Sequence, residues 1–150
     1  MERSSQLRKL TTMGMMAAVS IILVYLIHFP IFPAASFLEY DPADIPIFIC
    51  TFLYGPLSGF ILTVIVSFIQ GFTVSAQSGI IGVMMHIFAT GFFTIVAGNL
   101  YKNNRNKKSA IKALIVGSIV MVLMMCIWNI IFTPIFMGTP RDVVMKMIVP

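Results

Sequence analysis

The sequence predicts an all-α, polytopic integral membrane protein, a helical bundle with five spans in one domain covering residues 1–150. The chain is 59% hydrophobic and only 10% charged. Soluble domains carry roughly a quarter charged residues, and small domains leave much of their area exposed, so one soluble core could not hide this much apolar surface. No residue from 45 to 101 carries a formal charge, which is typical of membrane spans.

Two short segments of helix-breaking or polar residues divide the uncharged block 45–101 into separate predicted spans. Gly55-Pro56 interrupts the uncharged block once, and the polar stretch 73–79 interrupts it again. The first apolar run is long enough to cross a bilayer core of about 30 Å, whereas the second piece offers only roughly 15 Å of helix. The predicted spans cover approximately these residues: 10–29, 45–54, 56–72, 80–101 and 113–137.

Two clusters of basic residues predict the orientation of the chain. Cytoplasmic loops of membrane proteins are enriched in Lys and Arg, so both clusters are expected inside, with an even number of spans between them. The short piece 45–54 must then be a crossing, and the loop before it is expected to dip into the membrane as a re-entrant outer loop. The N-terminus is predicted to be cytoplasmic. The clusters are Arg3, Arg8 and Lys9, then Lys102, Arg105, Lys107, Lys108 and Lys112.

An acidic, proline-containing loop precedes the short second span. Three of the five carboxylates in the chain lie between residues 37 and 46. Helix ends inside the membrane are where transporters place substrate contacts, which makes Asp41 and Asp44 candidate binding residues. The alternative is structural: Asp44 could cap the helix, with Pro46 in its first turn, and Asp41 could stabilise a turn before Pro42.

Three polar residues within the later spans are further candidates. An ionisable group inside a membrane is a functional candidate, so His86 is one, although a neutral, hydrogen-bonded imidazole is the simpler interpretation. Asn129 and Thr133 are four residues apart and share one helix face. Pro134 cannot donate to the carbonyl of Ile130, so a polar patch suited to a ligand is predicted there. The alternative is hydrogen bonding between helices.

The sequence carries no motif for catalysis or for metal binding. It lacks GxSxG, HExxH and GxxxxGK[ST], and the two cysteines, Cys50 and Cys126, lie in apolar stretches without metal-ligand spacing. We therefore expect neither an enzyme nor a metal site. The basic residues flank apolar spans and do not form a basic face, so no nucleic-acid partner is expected. Gly14 and Ala18 form a small-xxx-small pair that lets another helix approach closely.

Three segments resemble a known family. Phe37-Leu-Glu-Tyr-Asp-Pro-Ala-Asp-Ile-Pro46, followed by Phe52-Leu-Tyr-Gly-Pro-Leu-Ser-Gly59, is similar to the riboflavin-specific substrate-binding components of energy-coupling factor (ECF) vitamin transporters. The stretch Asn129-Ile-Ile-Phe-Thr-Pro-Ile-Phe136 resembles the same family, as does the order of spans with a basic loop between the fourth and fifth. The resemblance covers nearly the whole chain.

The resemblance implies a function and a set of partners. Such proteins sit in the bacterial cell membrane, bind the vitamin from outside and pass it inward only with a membrane coupling subunit and two ATPases. Riboflavin would be a transported ligand, with no cofactor. The alternatives are another vitamin or precursor, or a small membrane assembly subunit without a ligand. Family members have six helices, and this chain stops at Pro150, about where the sixth would begin.

The resemblance also implies roles for particular residues. The loop after the first span would cover the vitamin and place Leu38, Tyr40 and Asp41 near it. Asn129 matches a family asparagine that contacts the flavin ring. The surface that docks on the coupling subunit would fall on Gly14 and Ala18.

Overall fold

Five helices and one small hairpin form the protein in our computed structural model, which describes residues 2–27, 30–32, 35–39, 41–74, 79–138 and 142. The helical membrane bundle predicted from the sequence is confirmed. In chain order the elements are α1 (Glu2–Leu26), β1 (Pro30–Phe32), β2 (Ala35–Glu39), α2 (Asp44–Tyr54), α3 (Pro56–Phe72), α4 (Gly79–Asn103) and α5 (Lys107–Met137).

The break between α2 and α3 lies where the Gly55-Pro56 pair predicts it. Gly55 has a φ of 93°, which is readily accessible only to glycine, and its N–H donates to the carbonyl of Thr51 at 2.9 Å. Pro56 then begins α3, where a missing N–H costs nothing and the fixed φ suits a helix. One residue therefore separates two apolar helices.

The first and last helices extend beyond the apolar runs. α1 begins at Glu2 and includes the first basic cluster, and it ends at Leu26, before the predicted end of the span. α5 begins at Lys107, after Asn106 accepts a hydrogen bond from the Ser109 N–H at 2.7 Å. A span predicted from hydropathy stops at the first charged residues. Lys, Arg and Glu are nevertheless good helix formers, so the helix itself can continue beyond the apolar run.

The loop between α1 and α2 contains a feature that the sequence did not predict. β1 and β2 form an antiparallel pair in which Pro30 faces Glu39 and Phe32 faces Ala35. The side chains of residues 28–40 lie outside the described part of the structure. The predicted re-entrant path of this loop is therefore still a prediction.

Two packed clusters join the helices. The first unites α1, α2 and α3 around buried side chains that include Met13, Val24, Ile47 and Leu62. The second unites α4 and α5 around Phe93, Ala97 and Ala113, and the ring of Phe48 from α2 stacks on Phe93 with centroids 3.7 Å apart. α2 thus lies between the two clusters.

Glycines permit two close contacts of α4 with its neighbouring helices. A Cβ added at Gly98 of α4 would lie 2.8 Å from Cα of Pro56, the first residue of α3. One added at Gly117 of α5 would lie 2.7 Å from the ring of Phe93. Small residues allow membrane helices to approach closely, and these two positions bring α4 against both of its neighbours.

Large apolar side chains cover the outside of the helices. α1, α4 and α5 are each long and apolar enough to cross a membrane, and α2 and α3 are shorter apolar helices. Only 11% of the most apolar part of α5 is buried within the protein. Apolar surface of this extent suits contact with lipid chains, which are as apolar as leucine.

Candidate functional site

A cluster of polar side chains occupies the region where the loop between α1 and α2 enters α2. We call residues 41–44 the junction, because they connect β2 to α2. The side chains that meet there come from the junction, from α3 and from α4, and we call the set the junction cluster: Asp41, Asp44, Ser67, Gln70, His86 and Thr90.

The junction itself is a turn closed by Asp41. One carboxylate oxygen of Asp41, Oδ1, accepts a hydrogen bond from the Ala43 N–H at 2.9 Å, which confirms the turn interpretation of Asp41. The carbonyl of Ala43 accepts from the Ser20 hydroxyl of α1 at 3.1 Å. Ala43 and Ser20 are both fully buried. The turn is therefore attached to α1 as well as to the cluster.

Asp44 is bound to α4 and does not cap its own helix. The N-cap position is Ala43, no side chain makes a capping hydrogen bond there, and the capping interpretation of Asp44 is therefore wrong. Its Oδ1 instead accepts a hydrogen bond from the Thr90 hydroxyl at 2.9 Å. A buried carboxylate requires strong partners, and α4 supplies them.

His86 of α4 faces both carboxylates of the junction. Its Nε2 lies 3.2 Å from Asp44 Oδ1 and 3.3 Å from Asp41 Oδ2. These contacts meet the distance for an ion pair but not the geometry of a hydrogen bond. His86, Asp41 and Asp44 are each candidate binding residues from the sequence, and the structure brings the three together. Direct substrate contact by them is still a prediction.

The other ring nitrogen of His86 pairs with a serine of α3. Nδ1 lies 2.6 Å from the Ser67 hydroxyl oxygen, which also lies 2.6 Å from the Thr63 carbonyl. A hydroxyl has a single hydrogen, so either Ser67 donates to Nδ1 or Nδ1–H donates to Ser67. When Ser67 donates, the neutral imidazole carries its hydrogen on Nε2, which faces the two carboxylates. The imidazole thus bridges α3 to the junction.

Gln70 of α3 holds Asp41 from the opposite side. Its Nε2 donates to Oδ1 at 3.2 Å and to Oδ2 at 3.1 Å. The pKa of the Asp41 carboxyl is raised above its ordinary value, chiefly because the group is buried and in part because of the charge of Asp44. His86, the Ala43 N–H and Gln70 oppose this shift. The Asp41 side chain is nevertheless 28% exposed, whereas that of Asp44 is 11% exposed. Asp41 is therefore the carboxylate with more access to a molecule outside the cluster.

The remaining predicted binding residues are not members of the junction cluster as defined above. Leu38 lies in β2, but its side chain is outside the described part, as is the whole of Tyr40. Asn129 of α5 is buried, and its amide donates to the carbonyl of Met125 in its own helix at 3.0 Å. Thr133 lies in α5, and its side chain is also outside the described part. Their roles are still predictions.

The predicted partner surface lies on the outside of α1. Gly14 and Ala18 are exposed, and a Cβ added at Gly14 would meet no atom within 4 Å. The buried positions Met13, Ser20 and Val24 lie on a different face of the same helix. Among the described residues, Gly14 therefore packs against no other part of the chain, and Ala18 is exposed.

Three members of the junction cluster were not predicted from the sequence: Ser67, Gln70 and Thr90. Ser67 and Gln70 are three residues apart on α3, and His86 and Thr90 are four apart on α4. Each spacing places two polar side chains on one helix face. Two polar faces on consecutive apolar helices are a signal that could have paired α3 with α4. The partner of each residue could not have been deduced from it.

The arrangement can fix a loop in place, and its polar atoms mainly satisfy one another. Both carboxylate oxygens of Asp41 have hydrogen bonds or close contacts. The two described contacts of Asp44, with Thr90 and with His86, are both made by its Oδ1. Within the described ranges, no group of three or more His, Cys, Asp or Glu side chains is arranged to hold a metal ion.

Comparisons with known proteins assign the family. Residues 8–150 match the family described as ECF transporter, substrate-specific component. The riboflavin transporter RibU of Staphylococcus aureus (strain TCH60) is 30% identical over 124 residues, which are 83% of this chain and 64% of that protein. The riboflavin transporter FmnP of Bacillus subtilis (strain 168) is 26% identical over 125 residues, covering 83% of this chain and 65% of that protein.

A solved structure supports the same assignment. The structure described as "Structure and mechanism of the S component of a bacterial ECF transporter" matches with a TM-score of 0.82 and 28% identity, covering 97% of this chain and 84% of the other. The chain spans slightly less than two thirds of the length of these curated relatives, 64% and 65%. The family match, over residues 8–150, nevertheless includes nearly every residue of this sequence. The chain therefore belongs to the family of substrate-specific components of ECF transporters.

Proposed function

We propose that this protein is the substrate-capture subunit of an ECF transporter and binds riboflavin at the outer membrane face. The observation that carries the proposal is its similarity to proteins named riboflavin transporters. Besides the two relatives above, RibU of Streptococcus thermophilus (strain ATCC BAA-250 / LMG 18311) is 29% identical over 126 residues. Relatives from three genera bear the same substrate name, which favours riboflavin over another vitamin.

The chemistry of the ligand suits the residues that the chain offers. Riboflavin has a flat, largely apolar ring system with polar edges and a hydroxylated tail, and such ligands occupy apolar pockets with a few placed polar groups. We assign Asp41, the more exposed carboxylate, to tail hydroxyls, and Asn129 to a ring edge, because an amide both donates and accepts. The remaining proposed contacts are Leu38, Tyr40, Asp44, His86 and Thr133.

Transport requires partners, which the proposal takes to be a membrane coupling subunit and two ATPases. The exposed small residues Gly14 and Ala18 on α1 supply the surface for the coupling subunit. In the proposed orientation the N-terminus is cytoplasmic and the hairpin faces outward. The chain captures the vitamin, and ATP hydrolysis by the partners drives its uptake.

The single tryptophan of the chain provides a binding assay. Trp128 lies in α5 beside Asn129 and stacks on Phe132 with ring centroids 4.1 Å apart. Riboflavin absorbs in the region where tryptophan emits, so binding should quench the emission of Trp128 by energy transfer. The purified protein is titrated in detergent with riboflavin, thiamine and biotin. We expect saturable quenching by riboflavin alone.

Two further measurements complete the test. Quenching of flavin fluorescence on the Trp128→Phe variant reports binding without the tryptophan and should give the same affinity. Preference for thiamine or biotin would replace riboflavin with another vitamin. Failure of all three ligands to bind would contradict the proposal for this chain.

A further inference from the structure

The junction is held by an unusual set of hydrogen bonds. Most side-chain hydrogen bonds in the described helices return to the donor's own helix, as those of Thr51, Thr63 and Thr94 do. The bonds that reach the junction instead connect it to α1 through Ser20, to α3 through Gln70 and to α4 through Thr90. Residues 41–44 are thereby tied to three helices at once.

Gln70 has a particular place in this set. It is 4% exposed and sits in the last turn of α3, and its side-chain amide donates to both oxygens of Asp41. A hydrogen bond to a carboxylate is stronger than one between neutral groups. The same carboxylate closes the junction by accepting the Ala43 N–H. Gln70 is therefore connected to the junction backbone through one intervening side chain, that of Asp41.

We propose that Gln70 is a positioning residue for substrate capture, which acts through Asp41 and does not touch the substrate. By orienting the Asp41 carboxylate, Gln70 sets the turn at residues 41–44 and the direction in which β2 leads into α2. The binding part of this proposal rests on the proposed function. The structural part, that Gln70 holds the junction, stands without it.

A double-mutant cycle tests the binding part. Gln70→Met keeps the length of the side chain and removes its donors, and Asp41→Ala removes the acceptor. We expect Gln70→Met to weaken riboflavin binding about tenfold, as loss of a bond to a charged group can, and to have no further effect in the Asp41→Ala background. Additive losses would overturn the proposal, because they would mean that Gln70 acts on the substrate directly or through the fold as a whole.

Hydrogen exchange tests the structural part on the ligand-free protein. Peptides covering residues 41–47 report the amide of Ala43, which Asp41 protects, and that of Ile45, which bonds to the Pro42 carbonyl. Gln70→Met should make exchange there about tenfold faster, the factor expected for about 1.4 kcal/mol, and leave α4 and α5 unchanged.

Thr63→Val is the matched control. Thr63 is fully buried on the same helix, and its hydroxyl bonds only to the carbonyl of Gly59 in that helix among the bonds described. Unchanged exchange in Gln70→Met, or equal acceleration in Thr63→Val, would overturn the proposal. If the wild-type protein binds no riboflavin but Gln70→Met accelerates exchange at the junction, the proposed function fails and the role of Gln70 at the junction holds.

Discussion

The bond between Thr90 and Asp44 offers a direct measurement of how strongly the junction is attached to α4. The substitution Thr90→Val replaces a hydroxyl by a methyl group of similar shape, so no cavity is opened. Thr90 is fully buried and donates to Asp44 Oδ1 at 2.9 Å. Without that donor the carboxylate keeps only His86 as a described polar neighbour, at 3.2 Å.

The expected cost follows from the charge of the acceptor. A hydrogen bond to a charged group contributes about 1.5–3 kcal/mol, and Asp44 is too buried for water to replace the lost donor fully. For a chain of this size, 1 kcal/mol corresponds to about 2–4 °C in Tm. Thr90→Val should therefore lower the Tm by roughly 3–12 °C on this scale.

A control one turn further along α4 isolates this contribution. Thr94 is equally buried, but its hydroxyl donates to the carbonyl of Gly91 in its own helix at 2.8 Å. Bonds of this kind add little to stability, so Thr94→Val should leave the Tm nearly unchanged. Both variants are melted in the same detergent without ligand. Equal Tm values for the two variants would refute the reasoning that the Thr90 bond stabilises the fold.

Three further substitutions test the packing, the proposed ligand site and the partner surface. Gly98→Ala should destabilise the protein by about 1–3 kcal/mol in a thermal melt, because its Cβ would lie 2.8 Å from the backbone of Pro56 and overpack the α3–α4 contact; a melt like that of the wild type would contradict this packing. Asn129→Ala should weaken riboflavin binding about tenfold, whereas the exposed control Asn99→Ala should not; unchanged affinity would remove Asn129 from the proposed site. Gly14→Phe should preserve riboflavin binding, since nothing lies within 4 Å of that position, and should abolish co-purification with the coupling subunit; retained co-purification would place that interface elsewhere.

The helix breaks were predictable from local sequence. Gly55 and Pro56 end one helix and begin another through backbone preferences that act within a few residues. The helix ends at Glu2 and Lys107 were not predicted, because hydropathy marks the apolar core of a span and not the charged turns that continue the helix. The hairpin was also missed, since residues 30–39 contain two prolines, Pro30 and Pro33, and do not alternate apolar with polar residues.

The candidate site was predicted in part. Asp41, Asp44 and His86 were selected because ionisable residues are rare in this chain and costly in a membrane. Asn129 and Thr133 were selected because they share one helix face beside Pro134, and the resemblance to the family added Leu38 and Tyr40. Gln70 and Thr90 were not selected, because an uncharged polar side chain in a membrane helix bonds its own backbone or another helix equally well. The sequence alone does not distinguish these two outcomes.

By itself, the sequence determined the membrane class, the five helices and the places where several of them end. These depend on composition and on backbone preferences, which are properties of neighbouring residues. Only the tertiary structure decided which polar groups meet. Asp41 bonds to Gln70 across 29 positions and Asp44 to Thr90 across 46. Such pairs form because buried polar groups must find partners among whatever helix packing places nearby, and packing is set by the whole chain.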